Sequence, residues 1–118
     1  MGLNSIIKIY YYFDGNGNKY IINAETIEYI PIKPYNSSSG FYNGGDYLKK
    51  ELNKTQYDYI VSILNLAAQN RKNHIKDRVK GSGFIIIQEK TREKSFILRP
   101  NSEEIQEIEN SLQKIITN

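Results

Sequence analysis

Reactive chemistry has few places to reside in this 118-residue chain. His74 is the single histidine and cysteine is absent. Imidazole catalysis must therefore run through one residue, and thiol nucleophiles, disulfides and zinc–thiolate sites are excluded. His74 with Ser37, Ser38 or Ser39 and with Asp46 or Asp77 supplies the residue types of a nucleophilic triad. No Gly-x-Ser-x-Gly elbow accompanies them, and a triad is defined by geometry. Arg71, Lys72 and His74 fall at or just past an expected helix C-terminus, where cations meet the negative end of the helix dipole. A hydrolase or transferase using His74 is kept as an alternative, and no catalytic residue is assigned.

Two glycine-rich stretches and one acidic turn invite ligand readings. Asp14, Asn16, Asn18 and Glu25 occupy the first, third, fifth and twelfth positions of a calcium-binding loop. Lys19 stands where that loop needs glycine, and the flanks alternate like strands rather than helices. A hairpin turn explains the same residues, so no metal site is assigned. The Ser37–Gly45 stretch and Lys80-Gly81-Ser82-Gly83 resemble phosphate cradles only in their glycines. Neither is followed by the Gly-Lys-Ser/Thr and helix of a P-loop. No cofactor is expected.

Charge and aromatic content are more unusual. The net charge of +3 hides a basic segment, residues 71–99. Within it, Arg71, Lys72, His74, Lys76, Arg78 and Lys80 form a candidate anion-binding set, which makes nucleic acid or another polyanion an alternative partner. The ten tyrosines all lie within residues 10–59, away from that charge, and no RNP-type or helix-turn-helix spacing joins the two. Tyrosine on a sheet or loop offers large contact area at low entropic cost. Tyr10, Tyr12, Ser39, Phe41, Tyr42 and Tyr47 are therefore the candidate binding residues, and a non-enzymatic module recognising a protein or peptide is the leading expectation.

Several elements must position these residues. Residues 6–13 alternate with period two and read as a strand. Ile7, Ile9, Tyr11 and Phe13 are expected toward the core, with Lys8, Tyr10 and Tyr12 on the outer face. Asp-Gly and Asn-Gly within residues 14–18 turn the chain into a return strand over 19–24, and residues 26–32 form a third extended segment that Pro31 ends. Residues 33–53 read as an irregular loop. A helix is expected from about Thr55, with Asp58 completing a capping box. A second hairpin pairs residues 83–89 with 95–99, and Ile85-Ile86-Ile87, apolar on both faces, belongs inside the sheet. Asn101 with Glu104 is expected to start a last helix striped by Ile105, Ile108, Leu112, Ile115 and Ile116.

The expected class is thus a single soluble α+β domain over residues 1–118: an antiparallel sheet of four to five strands with two helices on one face, in the order ββ(β)-loop-α-ββ-α. Such a length builds its core without disulfide or metal. Abundant isoleucine, asparagine, lysine and tyrosine suggest an AT-rich bacterial genome. The apolar runs are far too short to span a bilayer. Met1-Gly2 opens without a basic region or long apolar stretch, so a cytoplasmic chain and an exported one with its leader removed both fit. Oligomeric state is left open.

Overall fold

Asp14 organises the first turn with its own side chain. Its Oδ1 accepts from the backbone N–H groups of Asn16 and Asn18, each at 2.9 Å, and its Oδ2 accepts from Asn18 Nδ2 at 2.9 Å. Gly17, at φ +92°, supplies the left-handed residue the turn requires. In the computed structural model, which describes residues 7–118, this turn joins β1 (Lys8–Phe13) to β2 (Lys19–Ile22). β3 (Thr26–Ile30) and β4 (Leu48–Glu51) extend the meander, and α1 (Lys54–Gln69) follows. β5 (His74–Ile75), β6 (Gly83–Glu89), β7 (Arg92–Leu98) and α2 (Glu103–Ile116) complete the chain.

All seven strands join one antiparallel sheet in the order β4-β3-β2-β1-β6-β7-β5, with β1 at its centre. The α+β class and two helices are as expected, but the sheet is wider than four to five strands. β4 lies inside the segment read as irregular, and β5 lies inside the basic segment. Neither has an apolar alternation to betray it: β4 reads Leu-Lys-Lys-Glu and β5 has two residues. Both are edges, where charge and brevity discourage pairing with other chains. β6 is interior, as its two apolar faces require. The β6–β7 turn is tighter than expected, with Lys90 at φ +54°. The helix starts also move. Asn53 and Gln56 form the capping box of α1, and the Ser102 hydroxyl caps α2 through the Ile105 N–H. Glu104 instead accepts from Asn70 Nδ2 at 2.7 Å and Asn73 Nδ2 at 2.6 Å, tying the first turn of α2 to the end of α1.

Both helices cover the same face of the sheet. Ile60, Ile63, Leu64 and Ala67 of α1 and Ile105, Ile108, Leu112 and Ile115 of α2 pack there in one core with Tyr10, Tyr12, Tyr20 and Tyr29. This overturns the expected facing of β1: Tyr10 and Tyr12, read as an outer recognition surface, are 2% and 0% exposed. The inversion has a physical cause. Tyrosine buries more apolar area than isoleucine, provided its hydroxyl finds a partner, and here the helices and one loop supply partners. Tyr12 Oη donates to Glu109 Oε2 at 2.7 Å, and Gln113 Nε2 donates to Tyr20 Oη at 2.6 Å. Asn65 Nδ2 donates to Tyr10 Oη at 3.2 Å, and Tyr29 Oη donates to the Gly44 carbonyl at 2.6 Å. Tyr12, Tyr20 and Tyr29 face one another across β1, β2 and β3, with the second and third rings 4.9 Å apart.

Candidate functional site

With the even-numbered residues of β1 turned to the helices, Ile9, Tyr11 and Phe13 must point to the opposite side. Strand register carries the same facing outward. Ile21 of β2 lies beside Tyr11, and Ile86 and Phe84 of β6 lie beside Tyr11 and Phe13. Ile97 of β7 flanks Phe84, and Ile75 of β5 flanks Ile97. None of these side chains belongs to the helix-backed core. They are half-buried, each shielded in part by its neighbours on the face. Ile7, 73% exposed, follows the same alternation at the start of the described chain. The result is an apolar face running across five strands with no helix over it among the described residues.

Cations and hydrogen bonds dress this face. The Phe13 and Phe84 rings sit 5.7 Å apart. Lys19 Nζ lies over the rings of Tyr11 and Phe13, at 5.3 and 5.6 Å, and the Arg78 guanidinium lies 5.7 Å from the Phe84 ring. Tyr11 Oη donates to Gln88 Oε1 at 3.1 Å. Toward β4, Glu28 stands between Ile21 and Lys49 and accepts from Tyr47 Oη at 2.5 Å. That bond to a carboxylate holds the Tyr47 hydroxyl above its ordinary pKa. Tyr47, a candidate from the sequence, therefore stands at the rim of the open face, 55% exposed.

The other predicted residues scatter. Tyr10 and Tyr12 are core. Phe41 is 88% exposed on the loop, while the Tyr42 hydroxyl is held by Asn18 Nδ2 at 2.8 Å. The Ser39 hydroxyl accepts from the N–H groups of Phe41 and Tyr42, which makes it a local turn residue. Ser37, Ser38, Ser39 and Tyr42 do share a cleft with Lys80, Gly15 and Asn16, so the glycine-rich loop and the Lys80 turn converge. His74 does not join them. Its Nε2 lies 2.9 Å from the Ala67 carbonyl, which can only accept, so that nitrogen carries the hydrogen. Its ring packs on Phe96 at 5.3 Å. A nucleophile–base pair between the serines and His74 is thus absent from this arrangement.

The basic segment is also divided. Arg71 and Lys72 fall in a short 3-10 helix after α1, with Arg99 bonded to the Lys72 carbonyl. Lys76 is exposed beyond β5. Arg78 donates to the Ser82 carbonyl at 2.7 Å, and Lys80 faces the serine cleft. Arg92 and Lys94 turn to the helix side, where they line a groove with Lys8 and Glu89. They form no single track. The calcium reading fares no better, since the Asp14 carboxylate is already engaged by its own turn. Among the described residues no three acidic or imidazole groups cluster as metal ligands, and no helix is long and apolar enough to cross a membrane.

The sequence does not reveal the open face, because isoleucines and aromatics at period two read equally as core. One signal was available. Glu109 and Gln113 sit one helical turn apart beside the apolar stripe of α2, two polar groups that tyrosine hydroxyls, and not isoleucines, can satisfy. No family model, curated protein or solved structure matches this chain.

Proposed function

We propose that this chain is a non-enzymatic recognition module that docks a protein partner on the open face of its sheet. The observation that carries the reading is the uncovered face itself, where Ile9, Tyr11, Phe13, Ile21, Phe84 and Ile86 converge away from both helices. Large contiguous apolar patches on a protein surface mark interaction sites. Aromatic residues at the centre with polar groups at the margin match the anatomy of protein interfaces. Glu28, Lys49 and Tyr47 supply that margin here. The breadth of the face suits a folded partner better than a single extended peptide, which pairs with a sheet edge.

Using the chain as bait tests this reading. The wild type should recover a partner that Ile86→Lys fails to recover, with the far-ultraviolet circular dichroism of the two unchanged. A folded Ile86→Lys variant that keeps the partner would sink it.

A second reading has one observation in its favour. Tyr11, Phe13 and Phe84 stand beside Lys19 and Arg78, which brings aromatic and basic groups together as a stacking platform for single-stranded nucleic acid would need. The isoleucines around them offer bases neither stacking nor hydrogen bonds, so this reading ranks second. Fluorescence anisotropy with a labelled oligonucleotide decides it: affinity should fall steeply with salt and be lost in Phe13→Ala.

A further inference from the structure

We infer that the occupant of the open face is a second copy of this chain, packed sheet against sheet about a two-fold axis. The inference rests on the docking reading above and names its partner. Width argues first. The apolar side chains run from Ile21 on β2 to Ile75 on β5, five strands and four gaps, or about 19 Å at ~4.8 Å per gap. One α-helix, about 10 Å across, covers roughly half of that. A second sheet covers all of it, because facing sheets pack at ~10 Å and interdigitate over their full width.

Area argues next. The whole seven-stranded face, about 29 Å by 20 Å from strand spacing and rise, presents on the order of 600 Å² to a partner, near the ~800 Å² each side contributes to a stable interface. An identical sheet matches that footprint strand for strand. Charge argues third. On this face Lys19 and Lys49 of the paired strands, with Arg78 over Phe84, are balanced by Glu28, Glu51 and Glu93. The chain as a whole is +3, so its excess lies off the face. A surface evolved for a strongly acidic partner, nucleic acid included, would carry the opposite bias. A face of mixed sign and no excess is what an isologous contact requires, since each copy must meet its own charges. With β1 at the sheet centre, a two-fold axis along β1 lays the β2–β4 half of one copy over the β6–β7–β5 half of the other.

The absence of cysteine permits a clean test. Tyr11→Cys lies close to the proposed axis, where sheets ~10 Å apart leave the two thiols too distant for a disulfide but within reach of a short thiol-bridging reagent. That reagent should give a covalent dimer, whereas with Tyr59→Cys, on the outer side of α1, it should not. Analytical ultracentrifugation of the wild type should give twice the chain mass at high concentration. Ile86→Lys, and independently Ile97→Glu, should weaken that association by on the order of 30-fold or more, as hot-spot losses do. Two changes on different strands guard against one of them simply misfolding. A wild type that stays monomeric overturns the inference. So does a dimer that survives both substitutions, or cross-linking that occurs in the Tyr59→Cys variant and not in Tyr11→Cys. A hydrophobic dye then separates the two levels. If the monomer binds the dye and Ile86→Lys abolishes it, the docking face stands with another kind of partner, and binding of a labelled oligonucleotide would identify that partner as nucleic acid. If the monomer binds neither, the docking reading falls too.

Discussion

The two faces of one sheet differ in how their aromatic side chains are satisfied. The face under the helices carries Tyr10, Tyr12, Tyr20 and Tyr29 among Ile22, Ile27, Ile85 and Leu98; the face that no described helix covers carries Ile9, Tyr11, Phe13, Ile21, Phe84 and Ile86. A hydrocarbon face gains from burial against anything apolar. A tyrosine face gains only where its hydroxyls find partners, and this chain places Asn65, Glu109, Gln113 and the Gly44 carbonyl at those four hydroxyls. The tyrosine face is therefore specific to this chain's own helices and loop, while the isoleucine and phenylalanine face stays general and available.

The largest expected effect separates the faces directly. Tyr20→Ala removes a fully buried ring and orphans the Gln113 amide, and should cost ~3–5 kcal/mol, the range for deleting a buried aromatic. Tyr11→Ala, its counterpart on the open face, should cost less than about 1 kcal/mol in dilute solution, where no partner covers it. Urea denaturation of both variants checks the pair. Equal losses would mean the open face is structural and the contrast is mistaken.

Much of this architecture is legible in the sequence, and the failures share one cause. The first hairpin, the interior position of Ile85-Ile86-Ile87 and the α2 stripe follow from periodicity and turn chemistry. Period two identifies two faces of residues 8–13, but it cannot say which is inside, because that depends on helices far along the chain. The same limit hides β4 and β5. They join Thr26–Tyr29 and Ile97–Leu98 by backbone pairing, and backbone pairing leaves no mark on residue type. Of the candidate site, Tyr47 reaches the open face and Arg78 reaches it from the anion set, while the remainder serve turns or the core or, like Phe41 and Lys76, stand exposed away from it.

Gly83 offers a middle-sized effect that sharpens the contrast. On the covered face a Cβ at this position would meet Tyr12 Oη at 2.5 Å and Ile105 Cγ1 at 3.2 Å. Tyr12 is fixed by Glu109 and cannot withdraw cheaply. Gly83→Ala should therefore cost ~1–3 kcal/mol, the usual result of overpacking a filled core. Tyr12→Phe alone also loses the bond to Glu109, but the double variant Gly83→Ala/Tyr12→Phe should lose less than the two single changes summed, since the clashing oxygen is gone. Thermal unfolding of both single variants and the double measures that difference, and simple additivity would mean that Tyr12 is not what fills the space.

Tyrosine ionisation extends the comparison to alkaline pH. Burial raises the Tyr12 and Tyr20 hydroxyls well above their ordinary pKa and brings Tyr29 to about 12. The folded chain thus holds these protons where the unfolded chain releases them, above about pH 10. Their contribution to stability is complete below that pH and is lost as pH rises through the folded values. Tyrosinate absorbance should accordingly show a set of tyrosines that ionises only with unfolding. Tyr12→Phe should flatten the decline of stability above pH 10, and an unchanged slope would contradict the burial.

The smallest effect concerns Glu109, the carboxylate that makes the covered face work. Burial raises its pKa above the ordinary carboxylate value, although the Tyr12 hydrogen bond pulls the other way. A carboxyl that holds its proton more tightly when folded favours the fold most at low pH. Stability should therefore decline as pH rises from the ordinary carboxylate pKa through the raised one, and level off above it. Glu109→Gln keeps an oxygen for the Tyr12 hydroxyl and removes the charge whose desolvation dominates. The variant should show no such decline and should be slightly the more stable at neutral pH. Urea denaturation of both proteins across the acidic and neutral range reads the difference. If the two follow parallel curves, Glu109 keeps its full hydration in the fold, and the polar rim of the tyrosine face is wetter than its geometry implies.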